Sequence, residues 1–533
     1  MVSFVPVRWG LICCFPAIGL GDGSRSGVTG VNLSRRADAM ISNAAALHHK
    51  NYFRMCIQNI SRLRFTSLLY ILALTGIWTS CQSPQNNSGV SVWVTSGDKS
   101  ALFEQQSEPL QFNNTDAHPA GESVPVIHVD PAQRFQEMDG FGYTLTGGSA
   151  MWINKMSADA RAELLRELFT TEGDGIGISY LRVSIGASDL DPHVFSYSDL
   201  SPGETDPGME RFTLDPDREH LIPVLREILE VAPDIPILGS PWSPPVWMKD
   251  NNASIGGSLL PEFYDAYALY FVRYVQEMAK EGIPIDAITV QNEPLHPGNN
   301  PSLLMKAEEQ ARFIKNHLGP AFESHGVDTK IIIYDHNLDR IDYPLEILDD
   351  PGAARYVDGT AFHLYGGEIS SMSKVHEAHP DKHLYFTEQW VGANSEFHVN
   401  LPWHMQNLMI GAPRNWSRNV LQWNLAANSD LKPHTDGGCT LCLGALTIDS
   451  DQVVRNDAYY FIAHASKFVR PGSVRIGSNE PDGLPNVAFE RPDGGQVLLV
   501  FNPADNPVSF VIAADGGRAM AELPPNSAGT YVW

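Results

Sequence analysis

Cysteine and basic residues are both scarce in this sequence. Six of its 533 residues are cysteine, and 37 lysines and arginines face 62 aspartates and glutamates, which gives a net charge of -25. So acidic a chain argues against nucleic acid or an anionic membrane surface as a partner and favours a neutral substrate. Cys439 and Cys442 form a Cys-x-x-Cys pair with no second pair to complete a zinc site. In an exported protein this pair predicts a short disulfide; two free thiols are the alternative.

Signatures of cofactor chemistry are also absent from the sequence. It has no Gly-x-Gly-x-x-Gly fingerprint, no Gly-Lys-Ser/Thr phosphate loop and no Gly-x-Ser-x-Gly elbow of a serine hydrolase. Asp335, His336 and Asp339 are close together in the chain, but no partner spacing supports a metal site among them. No internal repeat with a period of about 20 to 50 residues is present, which argues against a solenoid or a propeller. We therefore predict an enzyme or binding protein without cofactor or metal.

The N-terminal region is predicted to contain an export signal over residues 55–81. Arg62 and Arg64 form its basic start, and residues 67–78 form an apolar run that is shorter than the roughly 20 residues of a comfortable membrane span. Small residues then precede Cys81, as in a bacterial lipoprotein signal. Cys81 is therefore a candidate for lipidation, and the protein is expected in the cell envelope or outside the cell.

The segments on either side of this signal carry no fold information. Residues 1–54 have no clear period and are interpreted as a doubtful N-terminal extension. Residues 82–89 are polar and are interpreted as a tether. A plain secretory signal cleaved near Cys81 remains the alternative to a lipid anchor.

Residues 131–470 alternate between apolar strand runs and helical patterns. Apolar runs on strands and a 3.6-residue period on helices are typical of parallel strands that helices cover. Eight such units in succession predict a closed (β/α)8 barrel, the TIM barrel, as the catalytic domain. The predicted strands are 139–143, 178–185, 235–239, 287–293, 330–335, 359–365, 383–388 and 419–425, and the main predicted helices are 158–169, 218–231, 263–280, 303–318, 371–378, 403–410 and 456–468.

After residue 471 the helical period disappears. Short strand patterns separated by turn signals predict a small antiparallel β-sandwich over residues 471–533. Residues 90–130 contain two further strand patterns that precede the barrel and are expected to join this sandwich. The predicted strands of this domain are 90–94, 124–129, 487–490, 496–501, 509–513 and 530–533.

Two glutamates follow apolar strand runs in the fourth and seventh units. Glu293 has Asn292 before it and Pro294 after it, and Glu388 follows an aromatic strand. Residues at the C-terminal ends of barrel strands converge on one face, where the chemistry of such barrels takes place. Two carboxylates that converge there are the groups needed to cleave a glycosidic bond. An isolated Asn-Glu-Pro is more typical of a glutamate in a structural salt bridge, and Glu388 alone is also a weak signal, so the pair carries the hypothesis.

Several motifs, in the same order, resemble glycoside hydrolase family 30, the glucosylceramidase-like enzymes. The resemblance extends from about Val124 to the C-terminus. It implies a retaining β-glycosidase with a (β/α)8 barrel and an attached β-sandwich. The motifs are 139–142 (DGFG), 240–249 (SPWSPPVWMK), 291–294 (QNEP), 387–388 (TE) and 422–425 (QWNL).

The resemblance also implies roles for individual residues. Glu293 corresponds to the general acid/base, Glu388 to the nucleophile and Asn292 to a substrate-orienting amide. Further implied site residues are three subsite walls and one positive support near the nucleophile: Trp242, Tyr365, Trp423 and Arg182. His363 is expected to hydrogen-bond within the site; a satisfied core histidine is the alternative.

A retaining mechanism sets two expectations for the catalytic pair. The carboxyl groups of Glu293 and Glu388 are expected to lie about 5–5.5 Å apart, whereas about 9 Å would indicate inversion. The pKa of Glu293 is expected to be raised by partial burial and by the charge of Glu388, so that Glu293 holds a proton.

Two departures from the family pattern bear on the substrate. Gly147 stands where the glucosylceramidases have an aspartate that holds a hydroxyl of the terminal sugar, and Thr440 stands where an amide is expected. Both resemble the branch of the family that cleaves β-1,6-glucan. The partner is therefore a carbohydrate or glycolipid, and β-1,6-glucan, glucosylceramide and aryl or xylosyl glycosides remain open. A silent glycan-binding protein is the alternative outside enzymes.

Overall fold

The computed structural model of the protein describes residues 89–113, 124–514 and 516–533. The predicted export signal with Cys81, the N-terminal extension and all but the last residue of the predicted tether lie outside the described residues. Their assignments therefore stay predictions. In the described part of the chain, none of the helices combines the length and the apolar character needed to cross a membrane.

A closed barrel of eight parallel strands carries the fold. Each strand pairs with its neighbours along the chain, and the last strand closes the ring on the first, with Asn419 opposite Gly140. This closed barrel confirms the predicted (β/α)8 architecture. Its strands are β1 (Gly140–Thr144), β2 (Tyr180–Ser184), β3 (Ile237–Ser240), β4 (Ala287–Thr289), β5 (Lys330–Asn337), β6 (Val357–His363), β7 (His383–Glu388) and β8 (Ser417–Asn424).

Side chains from the strands fill the inside of the barrel. One residue from each of β2 to β8 contributes to a separate buried cluster, which comprises Tyr180, Leu238, Ala287, Ile332, Ala361, Tyr385 and Leu421. On β1, Gly142 lies so close to its neighbour that a Cβ would come within 1.9 Å of the Tyr180 carbonyl oxygen. The barrel is therefore a packed core rather than a pore, which leaves the ends of the strands for ligand binding.

Helices surround the barrel and cover its outer face. Helix Leu221–Val231 buries Leu221, Ile222, Leu225 and Ile228 on one side, in accord with the predicted period. The α-helices are Gly147–Lys155, Ala158–Phe169, Asp215–Arg218, Leu221–Val231, Tyr264–Lys280, Ala307–Phe313, Gly319–His325, Asp342–Leu348, Pro351–Ala354, Ser371–Ala378, Phe397–His404, Ala412–Arg414 and Asp457–Ser466. Over the described residues, two π-helical turns, Ile314–Leu318 and Met405–Gly411, and three 3-10 turns, Val246–Met248, Pro261–Phe263 and Leu338–Arg340, complete them.

In the described part of the sandwich, nine strands pair side by side in a continuous order, and the paired strands form two layers. Their order is Glu104–Gln105, Ser91–Ser96, Ser527–Val532, Gln496–Asn502, Asn486–Glu490, Val474–Ser478, Val126–Glu137, Val508–Ala514 and Gly517–Leu523. The long strand Val126–Glu137 pairs antiparallel with Val474–Ser478 at one end and parallel with Val508–Ala514 at the other, so it belongs to both layers. Strands that precede the barrel thus complete the C-terminal sandwich, as predicted.

Short strands and a buried histidine complete the described structure. Val391–Gly392 pairs with Cys442–Leu443, and Ala426–Ala427, Leu446–Asp449 and Gln452–Arg455 form a small sheet. His464, on the last barrel helix, is buried and lies 2.8 Å from the hydroxyl oxygens of both Thr95 and Thr530 in the sandwich. This hydrogen-bonded contact ties the two domains together.

Candidate active site

The two glutamates line one cavity of about 400 Å³ at the C-terminal ends of the strands. Both are buried, with 8% and 6% of their surface exposed for Glu293 and Glu388. Glu388 is the last residue of β7, as predicted. The prediction that β4 continues to Glu293 is wrong, because β4 ends at Thr289 and Glu293 has a φ of +47°. This left-handed conformation is uncommon for a residue with a Cβ and re-aims the side chain.

The side chains of Glu293 and Glu388 approach each other closely. One carboxylate oxygen of each, together with a ring nitrogen of His363, lies in a group whose atoms are all within 4.8 Å of one another. Retaining glycosidases hold their carboxyl groups about 5–5.5 Å apart, whereas inverting enzymes need about 6.5–9.5 Å to admit a water. The observed approach therefore favours the arrangement in which one carboxylate attacks the sugar directly.

Arg182 joins the ends of β2, β3, β5 and β7 beneath the cavity, and its contact with β3 is a hydrogen bond from Nη2 to the Ser240 hydroxyl at 3.2 Å. Its side chain on β2 is fully buried, and Nη1 donates to Oε2 of Glu388 at 2.6 Å. Nη2 donates to Oδ2 of Asp335 at 2.8 Å and to Oδ1 of Asn292 at 2.6 Å. Arg182 thus lies beside the nucleophile candidate, as predicted, and also orients the amide of Asn292.

Asp335 is a central residue that the sequence analysis considered only as an unsupported metal ligand. It is fully buried near the end of β5 and accepts hydrogen bonds from the hydroxyls of Thr289 at 2.8 Å and Thr387 at 2.6 Å. Its backbone carbonyl accepts the N–H of Glu293 at 3.0 Å. Burial alone would raise the pKa of Asp335, but the charge of Arg182, the hydrogen bond and charge of His363 and the hydrogen bond of Thr387 together outweigh it and hold this pKa well below its usual value. Asp335 is therefore a permanent anion that positions the residues around it.

His363 lies between the catalytic pair and Asp335. Its Nδ1 is 3.2 Å from Oε1 of Glu293 and its Nε2 is 3.1 Å from Oδ1 of Asp335. Burial alone would lower the pKa of His363, but the charge of Glu388 and the hydrogen bonds to Asp335 and Glu293 outweigh it and raise the pKa to about 9. At neutral pH the ring is an imidazolium that donates on both sides.

This imidazolium overturns the expected pKa of the acid/base candidate. Burial alone would raise the pKa of Glu293, but the hydrogen bond and charge of His363 outweigh it, so the pKa is lowered in the free protein. The pKa of Glu388 is instead raised. Burial is the main cause and the charge of Glu293 adds to it, while the positive charges of His363 and Arg182 lower this pKa in part. The expectation failed because it counted the two carboxylates and left out the cation between them.

Aromatic rings form the walls of the cavity. Trp242 and Trp423 lie with ring centroids 5.3 Å apart, and Arg182 lies over the Trp242 ring at 4.8 Å. Tyr365 follows β6 rather than ending it, and its hydroxyl donates to Oε1 of Glu388 at 3.0 Å. The structure thus brings every predicted site residue of the barrel to one cavity or its immediate support.

The cavity has further lining residues for which the sequence predicted no role in the site. They are Asp189, His296, Asn299, His336, Asn337 and Trp390. Cys439 and Cys442 also line it and are joined by a disulfide in the structure. Most of these residues lie in loops beyond the strand ends, where periodicity gives no signal.

Two family profiles match the chain over most of its length. The glycosyl hydrolase family 30 TIM-barrel domain matches residues 138–469, and the glycosyl hydrolase family 30 beta sandwich domain matches residues 472–531. These spans correspond to the barrel and to the C-terminal strands of the sandwich described above.

Individual proteins of known function are similar over the same region. The chain is 32% identical over 487 residues to an endo-1,6-beta-D-glucanase of Neurospora crassa, covering 87% of this chain and 98% of that one. It is 30% identical over 444 residues to the lysosomal acid glucosylceramidase of Mus musculus, covering 76% and 83% of the two chains. A solved endo-beta1,6-glucanase superposes with a TM-score of 0.77 at 33% identity, covering 84% of this chain and 99% of the other.

Proposed function

Because the chain belongs to glycosyl hydrolase family 30, we propose that Glu388 and Glu293 hydrolyse a β-glycosidic bond with retention of configuration at the anomeric carbon. The protein is a glycoside hydrolase, and the asymmetry of the site supports the individual roles. Arg182 and Tyr365 both donate to Glu388, as suits an anionic nucleophile. Glu293 accepts a hydrogen bond from His363, as suits a general acid that must be protonated again in each catalytic cycle. The approach of the two carboxylates within 4.8 Å is the observation that carries the proposal.

In the first step, an oxygen of Glu388 attacks the anomeric carbon while Glu293 protonates the departing glycosidic oxygen. The proton is available within the site. An imidazolium on His363 beside an ionised Glu293 contains the same number of protons as a neutral His363 beside a protonated Glu293. One transfer along the 3.2 Å hydrogen bond converts the first form into the second. In both forms the guanidinium of Arg182 donates to Glu388 at 2.6 Å and favours its ionised state.

In the second step, water replaces the leaving group. Glu293, now ionised, accepts a proton from that water as its oxygen attacks the anomeric carbon. The bond between the sugar and Glu388 breaks, which restores the free carboxylate and releases a sugar of the original configuration. Two inversions at one carbon therefore give net retention.

The shared proton predicts how activity depends on pH. It is present below the pKa of His363, about 9 in the free protein, and is lost as pH rises through that value. The kcat/KM of the wild type is therefore expected to fall on the alkaline side near that pH. His363→Asn removes the imidazolium, so Glu293 alone must hold the proton, and the alkaline limb is expected to move to lower pH by about one unit or more.

The measurement is kcat/KM for an aryl β-glucoside between about pH 4 and pH 10, over the range in which each variant stays folded. His379→Asn is the matched control, because His379 is a partly buried histidine that pairs with Asp349 outside the cavity. An alkaline limb that stays in place in His363→Asn would contradict the shared proton.

For the substrate, we propose β-1,6-linked glucan. The support comes from Gly147 and Thr440, which depart from the glucosylceramidase pattern, and from similarity to proteins named as endo-1,6-glucanases. A neutral polymer also agrees with the acidic character of the chain. Glucosylceramide is the competing substrate, because a glucosylceramidase is also among the relatives.

Product analysis on pustulan, a β-1,6-glucan, and on glucosylceramide tests both parts of this proposal. We expect wild type to release β-1,6-linked oligosaccharides from pustulan and to leave glucosylceramide nearly untouched. Proton NMR at early times should show the β-anomer of the new reducing end before mutarotation. Early appearance of the α-anomer would refute retention, and turnover of glucosylceramide alone would refute the substrate.

A further inference from the structure

The disulfide that the sequence predicted takes no part in either catalytic step, yet it lies in the wall of the cavity. Cys439 and Cys442 are joined to each other, and both line the cavity. Cys442 is buried in a cluster with Leu190, Trp242 and Trp423, and Cys439 packs against the same cluster. The cross-link is therefore part of the same wall as the two Trp rings.

The cross-link closes a short turn in the loop after β8, and this turn contacts two other loops. The N–H of Cys439 donates to Oδ2 of Asp189, in the loop after β2, at 3.1 Å. Cys442 pairs with Gly392, in the loop after β7, in a two-stranded sheet. The turn therefore connects loops that follow two other barrel strands, and one of these strands, β7, ends at the nucleophile.

Little packing holds the rest of this turn in place. Between the two cysteines, Thr440 is exposed and Leu441 has 41% of its surface exposed. Gly437 and Gly438 precede the turn, and among the described residues no atom lies within 4 Å of a Cβ built at Gly437. A segment with so few buried contacts depends on its cross-link for a fixed shape. Because the closed loop is short, losing the cross-link should affect this wall more than the stability of the whole fold.

We propose that the Cys439–Cys442 disulfide is a redox modification site that sets how tightly the cavity binds a sugar. The disulfide fixes the wall of the cavity, and a small dithiol that reduces the disulfide loosens this wall. The inference rests on the proposed hydrolase function, because it needs a sugar in the cavity. Cys439 is only partly buried and borders the cavity, so a small dithiol can reach its sulfur.

The reduction is a thiol–disulfide exchange in two steps. A thiolate of the dithiol attacks the sulfur of Cys439, and the sulfur of Cys442 leaves as a thiolate. The second thiol of the reductant then attacks the mixed disulfide and releases Cys439. Two electrons and two protons pass from the dithiol to the protein, which ends with two thiols while the reductant ends as a cyclic disulfide. Neither catalytic glutamate takes part, so reduction is expected to change KM more than kcat.

Kinetics of the full chain with and without dithiothreitol test this site. Alkylation of the folded enzyme followed by mass spectrometry should label Cys439 and Cys442 only after dithiothreitol is added. The KM of the reduced wild type for an aryl β-glucoside is expected to rise about 3- to 10-fold, because the sugar must then order the wall when it binds. The kcat should change by less than about twofold, and reoxidation should restore the original KM.

The double variant Cys439→Ser, Cys442→Ser is the matched control for the reductant. It is expected to have the raised KM before dithiothreitol is added and to show no response to dithiothreitol. This control excludes effects through the other four of the six cysteines in the chain. Its Tm should stay within a few degrees of the wild-type value, because the closed loop is short.

The outcomes separate this inference from the function on which it rests. If wild type cleaves neither the glucoside nor pustulan, the proposed function fails. If wild type is active but the two cysteines stay unlabelled after dithiothreitol, or if the labelled enzyme keeps the KM of the oxidised form, the inference is overturned. A loss of kcat as large as the rise in KM would show a merely structural cross-link and would overturn it as well. Should the double variant fail to fold, the reduced wild type decides by the same criteria.

Discussion

Replacing Glu388 by alanine is expected to lower kcat for an aryl β-glucoside by about a thousandfold or more, because the group that forms the covalent intermediate is lost. Added azide should then restore turnover, because it can attack the anomeric carbon from the side that Glu388 occupies in the wild type. Attack from that face inverts the anomeric carbon once and gives an α-glycosyl azide. NMR of the product identifies this anomer directly.

Glu293→Ala is the matched variant, since it removes the other carboxylate of the same pair. With a good leaving group such as dinitrophenol, the glycosyl-enzyme should still form, and azide should attack it from the side of Glu293. Two inversions then give a β-glycosyl azide. If the two variants give the opposite anomers, the roles of Glu293 and Glu388 are exchanged; if Glu388→Ala keeps wild-type kcat, Glu388 is not the nucleophile.

The catalytic pair was predictable because the barrel converts sequence order into spatial position. Glu388 ends an apolar strand, and parallel strands deliver their C-terminal ends to one face. The same rule brings Arg182 and His363 to that face from β2 and β6. Helix Ala158–Phe169 was predicted with its observed bounds because its apolar period is a local signal.

The remaining parts of the site depend on contacts that no local pattern encodes. Asp335 looked like an isolated acid in the sequence, and only its distances to Arg182 and His363 reveal its role. The lowered pKa of Glu293 follows from the same contacts. Asp189 reaches the cavity because two loops from opposite ends of the barrel sequence meet, which strand periodicity cannot predict.

The missed elements of the fold have equally specific causes. Strand Gly517–Leu523 was not predicted because its buried residues are small except for Leu523 and because it contains no β-branched residue. The helix predicted to begin at Trp403 begins at Phe397, although Pro402 lies inside it, and continues as the π-helical turn Met405–Gly411. A proline within a helical pattern normally marks a boundary, so the sequence favoured the later start.

The largest stability effect is expected from Arg182→Met. Arg182 is fully buried and pairs with Asp335 at 2.8 Å and Glu388 at 2.6 Å. Removing the cation leaves two carboxylates in the interior with their main partner gone, whereas methionine keeps much of the packing volume against Trp242. Breaking a buried ion pair in this way costs about 3–5 kcal/mol. Urea unfolding at neutral pH should show a loss of that size in the free energy of unfolding.

Two further variants separate charge from packing. Arg340→Met breaks the exposed pair with Asp342 and is expected to cost less than about 1 kcal/mol. The double variant Arg182→Met, Asp335→Asn also removes one of the two carboxylates that lost their pairing with Arg182. Part of the lost stability should therefore return. If Arg182→Met costs no more than Arg340→Met, or if the double variant is as unstable as the sum of the single ones, the buried anions do not depend on Arg182. The account of a cation that holds four strand ends together would then be wrong.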